Sequence, residues 1–174
     1  MAAKQPNVLH ISWHDTGRHF GCYGIDTVDT PNVDRLAGEG VLFEQAFACA
    51  AMCSPSRGAC LSGQYPQRNG LMHLAHGALR WRMKDYRVHL SHRMKRLGYF
   101  TTLQGFQHEI HHDDVAELGF DRETNETGAL GRHALCEEVA AGAREFFQSD
   151  EARKGRFYMQ LGFFETHRPF HFGD

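Results

Sequence analysis

The sequence predicts an α/β fold: a mostly parallel sheet with helices on both faces. Three observations carry that expectation. Short apolar runs of strand length occur at Val8–Trp13, Tyr99–Leu103 and Arg156–Phe163. The stretches between them are long enough for the helical crossovers that parallel neighbours need. Two of those stretches repeat apolar residues at helical spacing.

Taken in order, Val8-Leu9-His10-Ile11-Ser12-Trp13 reads as a largely buried strand that ends at the polar run His14-Asp15-Thr16-Gly17. Thr30-Pro31 is a helix start, a capping threonine followed by proline at the first helical position. That helix runs to Glu39 and stops at Gly40, and Val41–Phe47 reads as a short strand. A second helix is predicted from Ser56 to Ser62, ended by Gly63. Asp85 caps a third, carrying Tyr86, Leu90, Met94 and Leu97 on one face and stopped by Gly98. After the strand Tyr99–Leu103, an amphipathic helix is marked by Cys136, Val139, Ala140, Ala143, Phe146 and Phe147. Arg156–Phe163 is the last strand. Domain organisation reads as one incomplete domain portion covering 1–174, because no helix follows to cover that strand.

Composition narrows the function classes. The 174 residues are 41% apolar and 23% charged, with a formal net charge of −2. Such a balance carries no basic footprint for nucleic acid and no attraction to an anionic membrane surface. No apolar run reaches the length of a membrane span. The polar start Met1–Asn7 shows no signal peptide, so a cytoplasmic location is expected. Five cysteines, Cys22, Cys49, Cys53, Cys60 and Cys136, lack the paired spacing of a zinc ribbon and are expected to be reduced. Thirteen histidines are the unusual feature.

In open parallel sheets, ligands gather beyond the carboxyl ends of the strands. Here those ends carry His14-Asp15, then Gln104-Gly105-Phe106-Gln107-His108, then Glu165-Thr166-His167-Arg168. The chemistry centres on Cys53-Ser54-Pro55-Ser56-Arg57. Cys53 precedes a proline-started helix, where free N–H groups and the helix dipole favour an anion, and Arg57 one turn on can fork onto a sulfate or phosphate. On spacing alone, Cys53 is either a nucleophilic thiol beside an anion site or a small buried hydrophobe next to a surface arginine.

Cys53-x-Pro55-Ser56-Arg57, followed by Leu61-Ser62-Gly63 and Tyr65-Pro66, resembles the signature of the type I sulfatases, of the alkaline-phosphatase-like superfamily. Pro6-Asn7-Val8-Leu9, Gly21-Cys22-Tyr23-Gly24, Thr30 to Ala37 and Gly40-Val41-Leu42-Phe43 are similar to the family as well. The match is nearly continuous over residues 6–70 and sparse beyond. The resemblance implies that Cys53 is oxidised to formylglycine by a formylglycine-generating enzyme, and that its hydrate is the nucleophile. It implies a divalent cation, usually calcium, held by acids after the first strand and by residue 53. Asp15 matches one of those acids, and His14 stands where the other is expected. Imidazole is a softer ligand than calcium favours, so His14 either ligates, with another metal, or meets substrate.

The resemblance further gives Arg57 and His108 sulfate-binding roles and makes His167 a sulfate contact or leaving-group acid. A family lysine is replaced by Phe106. His111 and His112, with Asp113 and Asp114, read as a solvated loop. Asn69-Gly70-Leu71-Met72-His73-Leu74 is similar to the heparan N-sulfatase branch and implies a small sulfated carbohydrate as substrate, an ester or a sulfamate. Two other readings stand beside sulfate hydrolysis: a phosphonate monoester or phosphodiester hydrolase of the same superfamily, and a truncated piece that is inactive alone. The second pair of metal ligands is expected beyond the last strand, where Asp174 is the one candidate.

Overall fold

The computed structural model describes residues 5–124 and 134–167. The chain divides into two compact units, residues 1–14 with 49–174, and residues 15–48.

The larger unit is built on a four-stranded, all-parallel sheet. Its strands are β1 (Val8–Trp13), β2 (Phe100–Gly105), β3 (Arg122–Thr124) and β4 (Phe157–Phe163), in the order β1-β4-β2-β3. Three of these strands were predicted, and β3 is an addition. The predicted strand 8–13 is found with its bounds unchanged, and the other two shift by a residue or two. Inserting β4 between β1 and β2 sets the carboxyl ends of these three strands side by side, at the ~4.8 Å spacing of paired strands. His14, the segment after Gly105 and the segment after Phe163 therefore emerge together.

Burial on both faces follows from the parallel topology. Along β4 the period-two alternation is explicit. Tyr158 joins a core with Leu71, Met83, Tyr86, Leu103 and Phe120, whereas Phe157, Met159 and Leu161 pack with Val139, Ala143 and Phe146 on the opposite side. That second core is the apolar stripe of helix α5 (Cys136–Gln148), predicted within a residue.

The helices before the sheet differ from expectation in instructive ways. Besides α1 (Pro31–Glu39) in the smaller unit, the chain forms α2 (Cys53–Ser62), α3 (Pro66–Asn69), α4 (Leu90–Arg96) and α6 (Asp150–Lys154). The helix predicted from Ser56 begins at Cys53, so the cysteine occupies the first turn itself. Gly63 ends α2 in the left-handed conformation (φ 67°). The helix predicted as continuous from Asp85 is broken. Tyr86–Val88 is a 3₁₀ turn capped by Asp85, and α4 starts anew at Leu90, where the His89 ring accepts a hydrogen bond from the Ser91 N–H at 3.2 Å.

In the smaller unit, α1 (Pro31–Glu39) matches its predicted bounds. Thr30 does not cap it. Its hydroxyl accepts from the Gly21 N–H (2.9 Å) and donates to Asp34 (3.0 Å), tying the turn at Gly21–Tyr23 to the helix. The strand predicted at Val41–Phe47 is absent. Val41, Phe43 and Phe47 are 80%, 68% and 86% exposed, and the run pairs with no sheet edge. Among the described residues, no helix is long and apolar enough to cross a membrane.

Candidate active site

The candidate site lies in the larger unit, where β1, β4 and β2 end. Glycine makes the turn after β2 feasible. Gly105 pairs with Gly162 across the strands, and a Cβ on Gly162 would stand 1.8 Å from the Phe106 carbonyl oxygen. Gly105 itself is left-handed (φ 79°). With no side chains at this crossing, the chain folds tightly over the end of β4, held by the Phe106 N–H to the Gly162 carbonyl at 2.9 Å. Phe106, Gln107 and His108 are thereby delivered over the sheet's edge.

His108 pays a backbone cost for its position: φ is 74°, a region that non-glycine residues rarely adopt. Asp15, the first residue of the smaller unit, has φ 52°. Among the described residues Arg80 is the third such non-glycine residue, so two of these three coincide with predicted site residues. Backbone strain of this kind collects at functional sites.

Around His108 the rings pack closely. His76 stacks on it at 3.7 Å between centroids, Phe106 lies at 4.1 Å, and His14 meets it edge-on at 5.7 Å. His167 stands 4.4 Å from His14 and 6.1 Å from His108. The loop after β4 is anchored to the end of β1 by the Thr166 hydroxyl donating to the His14 carbonyl at 2.6 Å. His14 and His108 are buried, His167 is half-buried and His76 is exposed.

Cys53 sits half-buried at the start of α2. One ligating atom each from His14, Cys53 and His108 lies within 4.8 Å of the others. The sequence therefore placed four distant positions (14, 53, 108 and 167) that the structure gathers in one unit. Asp15 belongs to the other unit. Arg168 and Asp174 lie outside the described residues.

Arg57, one turn along α2 from Cys53, is held from three sides. It donates to the Ser12 hydroxyl at 3.1 Å, its guanidinium lies 5.1 Å over the Phe106 ring, and Glu109 stands 3.9 Å away. Phe106, where the resemblance leads one to expect a lysine, thus backs the arginine with an aromatic face. Glu109 is fully buried and also accepts from Gln160 at 3.2 Å. Tyr158 donates to Gln160 at 3.3 Å, and burial, with Glu109 behind it, pushes the Tyr158 phenol well above its usual range. Burial, and then the Arg57 charge, hold His10 below the ordinary histidine value. A buried polar layer of Glu109, Gln160 and Tyr158 thus underlies the arginine.

Sequence reading missed Glu109 and His76. Glu109 follows His108 directly in a polar run, and nothing in that run distinguishes a buried carboxylate from a solvated one. His76 is placed through the motif: Ser54, fully buried, accepts the Ala75 N–H at 3.0 Å and fixes the loop that presents the next residue.

The loop histidines are elsewhere in character. His111 caps the 3₁₀ segment His112–Leu118 by accepting the Asp113 N–H, and His112 is exposed 3.1 Å from Asp113. Arg80 and Arg82 bridge to Asp113, Asp114 and Glu117 across the same surface.

Comparison with known proteins shows the family and the fold. A family model described as Sulfatase matches residues 6–174. An ulvan-active sulfatase of Formosa agariphila is 38% identical over 107 residues, which are 61% of this chain and 20% of that protein. The chain thus spans about a fifth of that relative's length. A solved structure of a protein in complex with its substrate D-glucosamine-2-N,6-O-disulfate superposes with a TM-score of 0.77 at 23% identity, covering 95% of this chain and 35% of that one. The phosphonate monoester hydrolase of Agrobacterium radiobacter superposes at 0.62, also at 23% identity, over 95% of this chain and 42% of that one. These two likenesses concern the fold.

Proposed function

The chain belongs to the sulfatase family, and from that premise we propose that it carries the nucleophile-bearing part of a sulfuric ester or sulfamate hydrolase, with a formylglycine made from Cys53 as its working group. The observation that carries this reading is the convergence of His14, Cys53 and His108 within 4.8 Å, beside an arginine fixed from three sides.

In this mechanism the hydrated aldehyde of residue 53 presents two hydroxyls. One hydroxyl gives its proton to solvent and its oxygen attacks the sulfur while the S–O or S–N bond to the leaving group breaks. Arg57 stabilises the charge on the sulfuryl oxygens, which is worth most where water is excluded. His108 contacts the same oxygens, and His167 hands a proton to the departing alcohol or amine. The second hydroxyl then loses its proton, the C–O bond to sulfate breaks, the aldehyde re-forms and sulfate leaves. Water restores the hydrate. Covalent catalysis of this kind divides one difficult displacement into two easier steps.

The Cys53 thiol reaches this state through a formylglycine-generating enzyme, a partner inferred from the Cys53-x-Pro55-Ser56-Arg57 spacing. The substrate is proposed to be a small sulfated carbohydrate, as D-glucosamine-2-N,6-O-disulfate is for the superposed protein. Calcium, implied by the resemblance, takes six to eight oxygen ligands and does not match the two imidazoles, His14 and His108, that stand beside residue 53. No step above is routed through it.

Sulfate-ester turnover against phosphodiester turnover by the converted full chain tests the reading. Release of inorganic sulfate at the higher kcat/KM is expected. Phosphodiester or phosphonate cleavage with no sulfate release would replace this reading by the neighbouring hydrolase class.

A further inference from the structure

We propose that His76 is a specificity-determining residue of this site: from its place against His108 it hydrogen-bonds the sugar that carries the sulfuryl group. The proposal rests on the functional reading given above and names the part of the substrate that His76 meets.

The loop that carries His76 is closed and rooted. Its two ends are joined by the Lys84 N–H, which donates to the Asn69 carbonyl at 2.7 Å. Between them, Leu71, Ala75 and Met83 are buried in the core of the larger unit. Ser54, next to Cys53 in the motif and itself fully buried, fixes the middle of the loop by accepting the Ala75 N–H at 3.0 Å. Position 76 is therefore set by the same helix start that sets residue 53. Loops anchored on a rigid scaffold in this way are where binding residues gather.

The ring geometry gives His76 its direction. It lies nearly parallel to His108, with 18° between the planes and 3.7 Å between centroids. His108 is buried, with Phe106 at 4.1 Å, whereas His76 is exposed. One face of His76 is thus covered by the residue assigned to the sulfuryl oxygens, and the rest of the side chain meets solvent. A substrate whose sulfuryl group reaches His108 extends its leaving group past His76. His73, three residues earlier, shows the contrast. It is also exposed, but its ring accepts the Leu74 N–H at 2.8 Å and serves the turn.

The chemistry suits a sugar. Imidazole offers an N–H donor and a nitrogen acceptor in one ring, which matches the hydroxyl and amine groups of a sulfated amino sugar. A site that reads such groups by hydrogen bonds discriminates against a leaving group that lacks them.

The converted full chain is assayed with D-glucosamine-2-N,6-O-disulfate and with nitrophenyl sulfate, whose leaving group carries no sugar hydroxyl. Two variants separate contact from packing. His76→Phe keeps a flat ring on His108 and removes both nitrogens. His76→Gln keeps a donor and an acceptor and removes the ring. Both should melt close to wild type, because the residue is exposed. His76→Phe should lower kcat/KM for the sugar relative to the aryl sulfate by about tenfold, as loss of one hydrogen bond does, and mostly through KM. His76→Gln should recover part of that loss. A wild-type ratio in His76→Phe, or equal losses on both substrates in both variants, would make His76 a support for His108 only and overturn the proposal. Turnover of the aryl sulfate with none of the sugar by the wild-type chain would also overturn it, while leaving the sulfate-hydrolase reading intact. Sulfate release from neither substrate would remove that reading and this proposal with it.

Discussion

Two groups of histidines leave the same strand end and meet opposite fates. His108 turns back over the sheet and packs against His14, His76, His167 and Phe106, beside Cys53. Three residues later, His111 and His112 run along the surface among Asp113, Asp114, Arg80 and Arg82. The first group is drawn from four separated segments, the second from one segment and its facing arginines. What separates them is a glycine crossing. Gly105 and Gly162 let the chain fold over the central strand before His108, and Gln107 accepts the Glu109 and Ile110 N–H groups to send it outward again. A histidine count would rank the two alike. Burial and convergence set the first apart.

The widest break in that comparison comes at Cys53. Cys53→Ala in the converted full chain should abolish turnover while leaving the thermal melt close to wild type, because the side chain is half-buried at a helix start. Measured turnover near wild type would remove the site from this place altogether. Next in size, His108→Ala should lower kcat by ~10²–10⁴-fold, as loss of an oxyanion contact or proton donor does.

Glu109 sharpens the comparison one layer down. Glu109 is the buried carboxylate 3.9 Å from Arg57, and a positioning role for it makes a testable expectation. Glu109→Leu should cost ~10²-fold in kcat through misplacement of Arg57, with KM changed less, and Glu109→Gln should recover part of the loss. Equal losses in the two variants with a collapsed melt would make Glu109 a packing residue only.

The smallest effect belongs to the exposed group. His111→Ala should lower kcat by less than about tenfold, or ~1.4 kcal/mol, and exposed ion pairs of this kind contribute ~0–1 kcal/mol to stability. If His111→Ala collapses activity and His108→Ala does not, the site must be rebuilt around the loop.

Acid provides a separate measure of how buried histidines behave. Burial pushes His89, whose ring is held by Ser91 at 2.7 Å, down to about 3, from about 6.5 when unfolded. Between those values the unfolded chain binds the extra proton. Stability contributed by neutral His89 is therefore present above about pH 6.5 and is lost as pH falls toward 3. Melting temperature followed from pH 7 to pH 4 should drop, and the drop should flatten in His89→Gln.

Much of this was legible in the sequence, and the gaps have physical causes. Val8–Trp13 reads as a strand because it is apolar and bounded by polar residues. Pro31–Glu39 reads as a helix because proline starts it and glycine follows. The run Val41–Phe47 has strand-like residues, but strand formation needs a neighbouring edge, which sequence does not display. Arg122-Glu123-Thr124 is short and polar and acquires strand geometry only by pairing with β2. The break at His89 is hidden because Tyr86, Leu90 and Met94 keep helical spacing straight through it. At the site, the motif and strand ends exposed positions 14, 53, 57, 108 and 167, whereas the burial of Glu109 depends on Arg57 and Gln160, contributed from far along the chain.

The most direct test of the account is the mass of the peptide carrying residue 53, taken from the full chain co-expressed with a formylglycine-generating enzyme. The account predicts loss of the thiol, appearance of an aldehyde that reacts with a hydrazide probe, and sulfate release that rises in proportion to the converted fraction. An unmodified Cys53 in a chain that nevertheless releases sulfate would contradict it.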